Sequence, residues 1–391
     1  MTTVLAASNI VSALGFTVDE VFDNVLQGHT GLRLLSDRFD LPEPFMASEI
    51  DDAQLAQAFT RLQPPPPTDG AYTKFEQAAI VSAADALRRA NIDPAHPRVH
   101  FILSTTKGNI HLLDPHEAVG HSPKQLYLGH TAERIAQFFG NTAPTLVVSN
   151  ACISGAAALI TARRELMADR CDAAVVIGAD MLSRFVVSGF QSFKALSTEP
   201  CRPFDANRTG LNLGEAAATL ILTRRGTDDL RPGDAQLTDG AIRNDANHIS
   251  GPSRTGDGCF RALRHILRDI PAERLTDEIA FVNAHGTATP YNDEMESIAL
   301  TRAGLDRVPV NSLKGYFGHT LGAAGILETI LAVRALRAGI ALRTQGFEIL
   351  GVTHPIRITD TTAPITAHRC VKMLSGFGGC NAALLLTLHA R

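Results

Sequence analysis

Short apolar runs alternate with amphipathic or small-residue runs along most of the 391-residue chain, and this alternation limits the fold more than any other feature. Residues 2–12, 100–105, 145–149, 173–178, 279–284, 308–311, 371–374 and 383–388 read as strands. Residues 75–91, 153–169, 260–269, 293–304 and 321–338 carry the three-and-four spacing of helices. Strand followed by helix, repeated, predicts α/β layers with parallel strands. The proline run within 62–70 predicts a stiff, extended surface segment. The polar, turn-rich segment 224–236 predicts a boundary between an N-terminal half, 1–225, and a C-terminal half, 226–391.

Composition narrows the function classes. A net charge of −4 and a pI near 6.4 argue against nucleic acid as the main partner. Cysteines stand at 152, 171, 201, 259, 370 and 380 without a CxxC pair, which predicts free thiols in a reducing compartment, the cytoplasm. The first residues, MTTVLAASNIVSALG, lack a basic stretch before a long apolar core and read as strand and loop rather than a signal peptide. No 18-residue apolar stretch occurs, so no membrane span is expected.

Four motifs carry chemistry. In VVSNACISGAAALI, Cys152 sits where a strand gives way to a helix. Unpaired amides at a helix N-terminus favour negative charge, so a lowered thiol pKa is expected there. Ser154, Gly155 and Ala156 are small enough to let a substrate approach the backbone. NAHGTATPYNDEMES places His285 after a strand, and NSLKGYFGHTLGAAGILE places His319 in a similar context with Lys314 before it. LSGFGGCNAALLL is a glycine-rich turn leading into a strand. Chemical groups beside glycine-rich turns at strand ends are where α/β sheets build active sites. No His/Asp/Glu cluster with metal-ligand spacing accompanies the two histidines, so no metal is expected.

These motifs, with KALSTEPCRPFDANRTG, make the chain resemble the β-ketoacyl-acyl-carrier-protein synthases of the thiolase superfamily, from about residue 72 onward. The match is nearest to the elongating branch with a Cys–His–His centre. The resemblance implies a thiolase-like five-layered αβαβα fold built from two similar halves and usually dimeric, as a homodimer or with a related ketosynthase-like subunit. It implies Cys152 as the acylated nucleophile, and His285 and His319 as the pair promoting malonyl decarboxylation. Lys314 and Glu328 are implied as neighbours of the second histidine. Phe377 and Gly378 belong to the implied gate and oxyanion pocket, which also uses the Cys152 amide. Thr287 and Thr289 are implied to hold the phosphopantetheine arm, Phe190 to line the acyl pocket, and Lys194 to meet an acidic acyl carrier protein. No cofactor is implied beyond the phosphopantetheine that carries the substrates.

Departures from the family pattern are Cys380 where threonine is frequent, Thr209 where aspartate is frequent, and Lys107 near the expected acyl pocket. ADMLSRFVVSGFQSF and TATPYNDEMES are closer to synthases of specialised polyene pathways, such as aryl polyenes. Three rivals stand beside the synthase reading. One is a chain-length-factor-like subunit, non-catalytic or needing a partner. Another is a Cys–His hydrolase, which would require an Asn or Asp to orient its histidine. The third is a thiolase using Cys380 as a second reactive cysteine.

Overall fold

The computed structural model describes residues 1–66, 69–248 and 251–389; residues 67–68 of the proline run lie outside them, and residues 63–66 of that run have no regular structure. One ten-stranded sheet runs through the molecule. Its strands in chain order are β1 Thr2–Ser12, β2 Val99–Ser104, β3 Leu146–Val148, β4 Ala173–Asp180, β5 Ala216–Arg225, β6 Ala235–Asn244, β7 Ile279–Asn283, β8 Val310–Asn311, β9 Arg369–Gly376 and β10 Cys380–Leu388. The spatial order is β8-β7-β9-β10-β6-β1-β5-β4-β2-β3. Read outward from the centre, one half is β1-β5-β4-β2-β3 and the other is β6-β10-β9-β7-β8: each strand of the second half sits five places later in the chain than its counterpart. A single pairing, Val4 with Gln236, joins the two central strands.

The pairing directions repeat as well. β1 with β5 and β5 with β4 are antiparallel, while β4 with β2 and β2 with β3 are parallel. β6 with β10 and β10 with β9 are antiparallel, and β9 with β7 and β7 with β8 are parallel. The expectation of parallel strands therefore holds only for the outer part of each half. Strands β5 and β6, which introduce the antiparallel pairs, flank the segment read from sequence as a boundary. AAATLILTRR is rich in alanine and AQLTDGAIRN mixes polar with apolar residues, so neither announces a strand by period.

Six helices complete the layers: α1 Lys74–Ala90, α2 Leu128–Phe138, α3 Ser154–Met167, α4 Asp257–Ile266, α5 Pro290–Arg302 and α6 Ala324–Ala338. Helices α1 and α2 pack on the outer face of the N-terminal half, and α4 and α5 on the outer face of the C-terminal half. Helices α3 and α6 share one core with apolar residues from strands of both halves. The result is the five-layered αβαβα arrangement implied by the resemblance. Apolar side chains on both faces of each half-sheet need helix cover on both, and the shared pair α3/α6 serves two faces at once.

The small residues that open α3 have their explanation here. A Cβ added at Gly155 would lie 2.9 Å from Gly325 Cα, and one added at Gly325 would lie 2.5 Å from Ala156 N. Gly155 and Ala156 are thus small because α6 approaches their backbone, while the Ser154 hydroxyl is taken up by the turn before α3, bonding Asn150 and Ala151. The expectation that Ser154, Gly155 and Ala156 clear a path for substrate is corrected.

Candidate active site

Cys152 is buried and precedes the first turn of α3. Ala151 before it has φ 45°, a left-handed conformation that turns the chain sharply between β3 and α3. Ser154 Oγ stabilises that turn, accepting from Asn150 N–H at 2.7 Å and donating to Ala151 O at 2.6 Å. The backbone N–H groups of Phe377 and of Cys152 bear on the sulfur and favour its ionised form, as does the Lys314 charge. Burial is the larger effect and pushes the thiol up to about 11. The lowered thiol pKa expected from the helix N-terminus is therefore corrected: desolvation outweighs the amides, and the resting group is a neutral thiol.

His285 follows β7 by two residues. Its loop is held by carboxylates on the next helix, α5. Glu296 accepts from the N–H groups of His285 and Gly286, each at 2.7 Å, and Asp293 accepts from Thr287 N–H at 3.0 Å. Burial raises Asp293 to about 6 and Glu296 to about 7. His319 is not at a strand end, contrary to expectation. It follows the short helical turn Lys314–Phe317, with its N–H donating to Asn212 O at 2.7 Å. Leu321 N–H donates to His319 Nδ1 at 3.3 Å, which makes Nδ1 the acceptor and leaves the proton on Nε2. Among the described residues, His319 Nε2 and His285 Nδ1 are buried without a hydrogen-bond partner.

The two imidazole rings meet edge to face, centroids 5.0 Å apart. Cys152 Sγ and one nitrogen from each ring lie within 4.8 Å of one another. Burial, followed by the charge of Lys314, holds both histidines well below their ordinary range, so both are neutral. The convergence of these three groups is the one expected from the motifs; their spacing, which would also suit a metal ion, was not.

Beneath the rings is a buried charged group. Lys314 Nζ donates to Glu328 Oε1 at 2.6 Å, and Lys372 Nζ, from β9, pairs with Glu328 Oε2 at 2.5 Å. Burial alone would raise the carboxyl, but the two ammonium groups override it and hold Glu328 below its ordinary range. Another buried carboxylate, Asp180 at the end of β4, ties the chain after β2 to the turn before α6. It accepts from Thr105 Oγ1 at 2.7 Å, Thr106 N–H at 2.9 Å and Gly322 N–H at 2.7 Å.

A cavity of about 550 Å³ opens over the trio. Its lining includes Cys152, His285, His319, Thr287, Thr289, Phe190, Phe193, Lys194, Thr209 and Phe377. Thr287 Oγ1 and Thr289 Oγ1 are 2.9 Å apart in one wall. The Phe377 ring packs between Phe190 and Phe193, with centroids at 5.7 and 5.2 Å. Gly376 lets the β9–β10 hairpin pass close to the nucleophile, since a Cβ there would lie 3.2 Å from Cys152 N. Lys314 and Glu328 stay beneath this lining, and Lys107, Gly378 and Cys380, also singled out from sequence, fall outside it as well. Lys107 is exposed, and its N–H donates to Asp180 Oδ1 at 3.3 Å. Gly378 is at the hairpin tip, its carbonyl accepting from Asn244 Nδ2 at 2.8 Å. Cys380 Sγ accepts from the same amide at 3.3 Å.

Sequence reasoning missed Asp180, Asp293, Glu296 and Lys372. NDEMES held a signal for two of them: acidic residues three apart in the first turns of a helix that starts just after a glycine-rich strand end.

The Beta-ketoacyl synthase N-terminal domain profile matches residues 4–227, and the C-terminal domain profile matches residues 235–348. Nodulation protein E of Rhizobium leguminosarum bv. trifolii is 32% identical over 338 residues, covering 80% of this chain and 81% of that protein. The tetracenomycin polyketide synthase ketoacyl synthase alpha subunit of Streptomyces glaucescens is 30% identical over 407 residues, covering 93% of this chain and 92% of its own. A solved ketosynthase in complex with its chain length factor, from Xenorhabdus doucetiae, superposes with a TM-score of 0.85 at 26% identity, over 99% of this chain and 98% of the other. No helix among the described residues is long and apolar enough to cross a membrane. A thiol faced by two neutral imidazoles on a duplicated thiolase-type fold, with both halves matched by the same family, leads to one assignment: the chain belongs to the beta-ketoacyl synthase family of condensing acyltransferases.

Proposed function

We propose that this chain joins an acyl group held on Cys152 to a malonyl unit by decarboxylative Claisen condensation, giving a 3-ketoacyl product, with both substrates carried on the phosphopantetheine of an acyl carrier protein. The observation that carries the reading is the convergence of Cys152 Sγ and two imidazole nitrogens within 4.8 Å at one end of the cavity.

In the first half-reaction the sulfur attacks the carrier thioester, the acyl carbonyl becomes tetrahedral, and the carrier thiol departs. Because the resting thiol is neutral, its proton must move as the sulfur attacks. That proton ends on the departing carrier sulfur, which leaves as a thiol. The amides of Cys152 and Phe377, which bear on the sulfur, hold the oxyanion; one such donor is worth ~3 kcal/mol in the transition state. In the second half-reaction the malonyl C–C bond breaks and carbon dioxide leaves. The electron pair spreads onto the thioester oxygen, where neutral N–H groups of His319 and His285 stabilise it. The carbon then attacks acyl-Cys152 and expels the Cys152 thiolate, which takes a proton from solvent to return to the resting thiol. His319 is set for this role, since its Nδ1 is occupied as an acceptor and its Nε2 proton has no partner among the described residues. Lys314 and Glu328 supply the fixed charge beneath the rings, and the reaction needs no metal.

Thr287 and Thr289 offer hydroxyl groups to the phosphopantetheine arm, and Phe377 with Phe190 forms a gate for the acyl chain. Exposed Lys194 at the cavity rim suits an acidic carrier protein. The resemblance of ADMLSRFVVSGFQSF to polyene synthases makes an unsaturated acyl chain the first substrate to try. The six free cysteines fit a cytoplasmic setting. Strand β3 ends the sheet, with no strand paired on its outer side among the described residues, and Leu146 on it is 36% exposed. Open edges are normally covered. Pairing with a second copy or a related ketosynthase-like chain through this edge meets that need.

The rivals lose support on particular contacts. Among the described residues, no hydrogen bond from a carboxylate or amide side chain reaches either catalytic ring, so the orienting partner of a Cys–His hydrolase is absent. Cys380, which a thiolase would use, lies outside the cavity lining. The deciding experiment measures acylation of Cys152 by intact mass and carbon dioxide release from malonyl-carrier protein. C152A should lose acylation and condensation. H285A and H319A should lose decarboxylation more than acylation. Unchanged carbon dioxide release in both histidine variants would overturn the assignment, and native mass spectrometry with co-expressed neighbours tests the pairing.

A further inference from the structure

Lys372 is fully buried and no step above uses it. Carrying an ammonium into the interior costs several kcal/mol, whereas an apolar side chain of similar length would pack there without that cost. Its environment shows what offsets the cost. Nζ donates to Met373 O at 2.7 Å, Ala284 O at 3.3 Å and Asn283 O at 3.4 Å, and it faces Glu328 Oε2 at 2.5 Å. Three main-chain carbonyls and one carboxylate oxygen form an oxygen shell around one compact cation. Two of those carbonyls belong to the residues immediately before His285. The parallel register that pairs Asn283 with Lys372 brings them together.

The chain around His285 is therefore gripped from both sides. Glu296 takes the N–H groups of His285 and Gly286, and the Lys372 ammonium takes the carbonyls of Asn283 and Ala284. The same ammonium reaches Glu328, whose other oxygen holds Lys314. The lysine thus joins the backbone that carries one imidazole to the charged group beneath both.

We propose that Lys372 is a positioning residue for the decarboxylation half-reaction, a resident cation whose oxygen shell fixes the turn bearing His285 and so aims that imidazole at the thioester oxygen. This rests on the assignment of His285 as a donor to the enolate. It follows that the shell, not the lysine's aliphatic stem, carries the function. A chain shortened at this position leaves four oxygens around a space that a small free ammonium ion fits.

The test uses K372A and K372M in the full chain, measuring carbon dioxide release from malonyl-carrier protein alongside acylation of Cys152. In K372A, decarboxylation should fall about 10- to 100-fold, the usual consequence of losing a charged hydrogen-bond partner, and acylation should fall far less. Ammonium or methylammonium chloride should restore decarboxylation in K372A. Tetramethylammonium chloride at equal ionic strength, too large for the shell, should not. K372M fills the stem space without a charge, so it should show the same split between the two half-reactions and no rescue. If K372A folds poorly, the split in K372M decides. Decarboxylation within about threefold of the parent in K372M, equal losses in both half-reactions, or rescue by tetramethylammonium would each overturn the proposal. Failure of the functional assignment looks different: the parent chain itself would release no carbon dioxide.

Discussion

Replacing Gly325 by alanine should destabilise the protein, although the same change in an exposed helix is normally favourable. Gly325 lies in the first turn of α6, with ordinary right-handed backbone. Helix propensity alone predicts a gain of up to about 1 kcal/mol for Gly→Ala. Against it stands the contact with α3: the new Cβ would lie 2.5 Å from Ala156 N, 2.9 Å from Gly155 C and 2.9 Å from Leu374 Cδ1. Two of these neighbours are backbone atoms of a helix packed between two half-sheets, so relief requires moving α3 or α6 as a body. Overpacking by one methyl in a dense core costs about 1–3 kcal/mol, and more where backbone must shift. The contact wins, and a net loss of about 2 kcal/mol is the central expectation. Urea denaturation of G325A beside the parent measures it. A second readout is functional. Cys152 directly precedes α3, so displacing that helix should slow acylation of Cys152 at saturating acyl-carrier protein. An unchanged or higher urea midpoint would show that the two helices are not in the close register described and would refute the reasoning.

Further outcomes follow from the buried charges. Both active-site histidines are held well below their ordinary value of 6.5, chiefly by burial. The neutral rings are the working form, so decarboxylation should show no loss of rate as pH falls through about 6.5; an acid limb centred there refutes it. Because burial pushes the Cys152 thiol up to about 11, iodoacetamide alkylation should be slow at neutral pH and rise with pH until that value. A plateau reached by pH 8 would contradict the neutral-thiol assignment. Replacing Glu328 by glutamine leaves Lys314 and Lys372 buried without their shared carboxylate. A loss of about 3–5 kcal/mol is expected in urea denaturation at pH 7, by analogy with the breaking of other buried pairs. The parent chain itself should gain stability as pH rises above about 8. Lys372 is lowered to about 8 in the folded chain, below its ordinary 10.5, so between those values the unfolded state binds more protons and folding gains with pH. A contribution from Lys372 that falls over that range, read as a steeper pH-dependent loss in the parent than in K372M, would refute this.

Much of the chemistry was legible in the chain because reacting groups sit in short, self-contained motifs. Cys152, His285, His319 and Lys314 could each be singled out from neighbouring glycines and small residues, Glu328 was implied by the family resemblance, and the structure brings the trio together beside the Lys314–Glu328 pair. The layers were legible too, since a helix or strand with one apolar face announces its period over a few residues. The antiparallel centre of each half was not: β5 and β6 pair through long-range backbone hydrogen bonds that leave no mark in their local composition. Nor could sequence distinguish why Gly155 is small, because the helix that presses on it arrives about 170 residues later. Ionisation is the clearest division. A cysteine before a helix suggests a thiolate, and a histidine after a strand suggests an ordinary imidazole. The charge state of each depends on how completely solvent is removed and which distant ammonium groups take its place. Desolvation and Coulomb energy act through space, so what these side chains are was written in the chain, and how they behave was decided only when α3, α6, β7 and β9 closed around them.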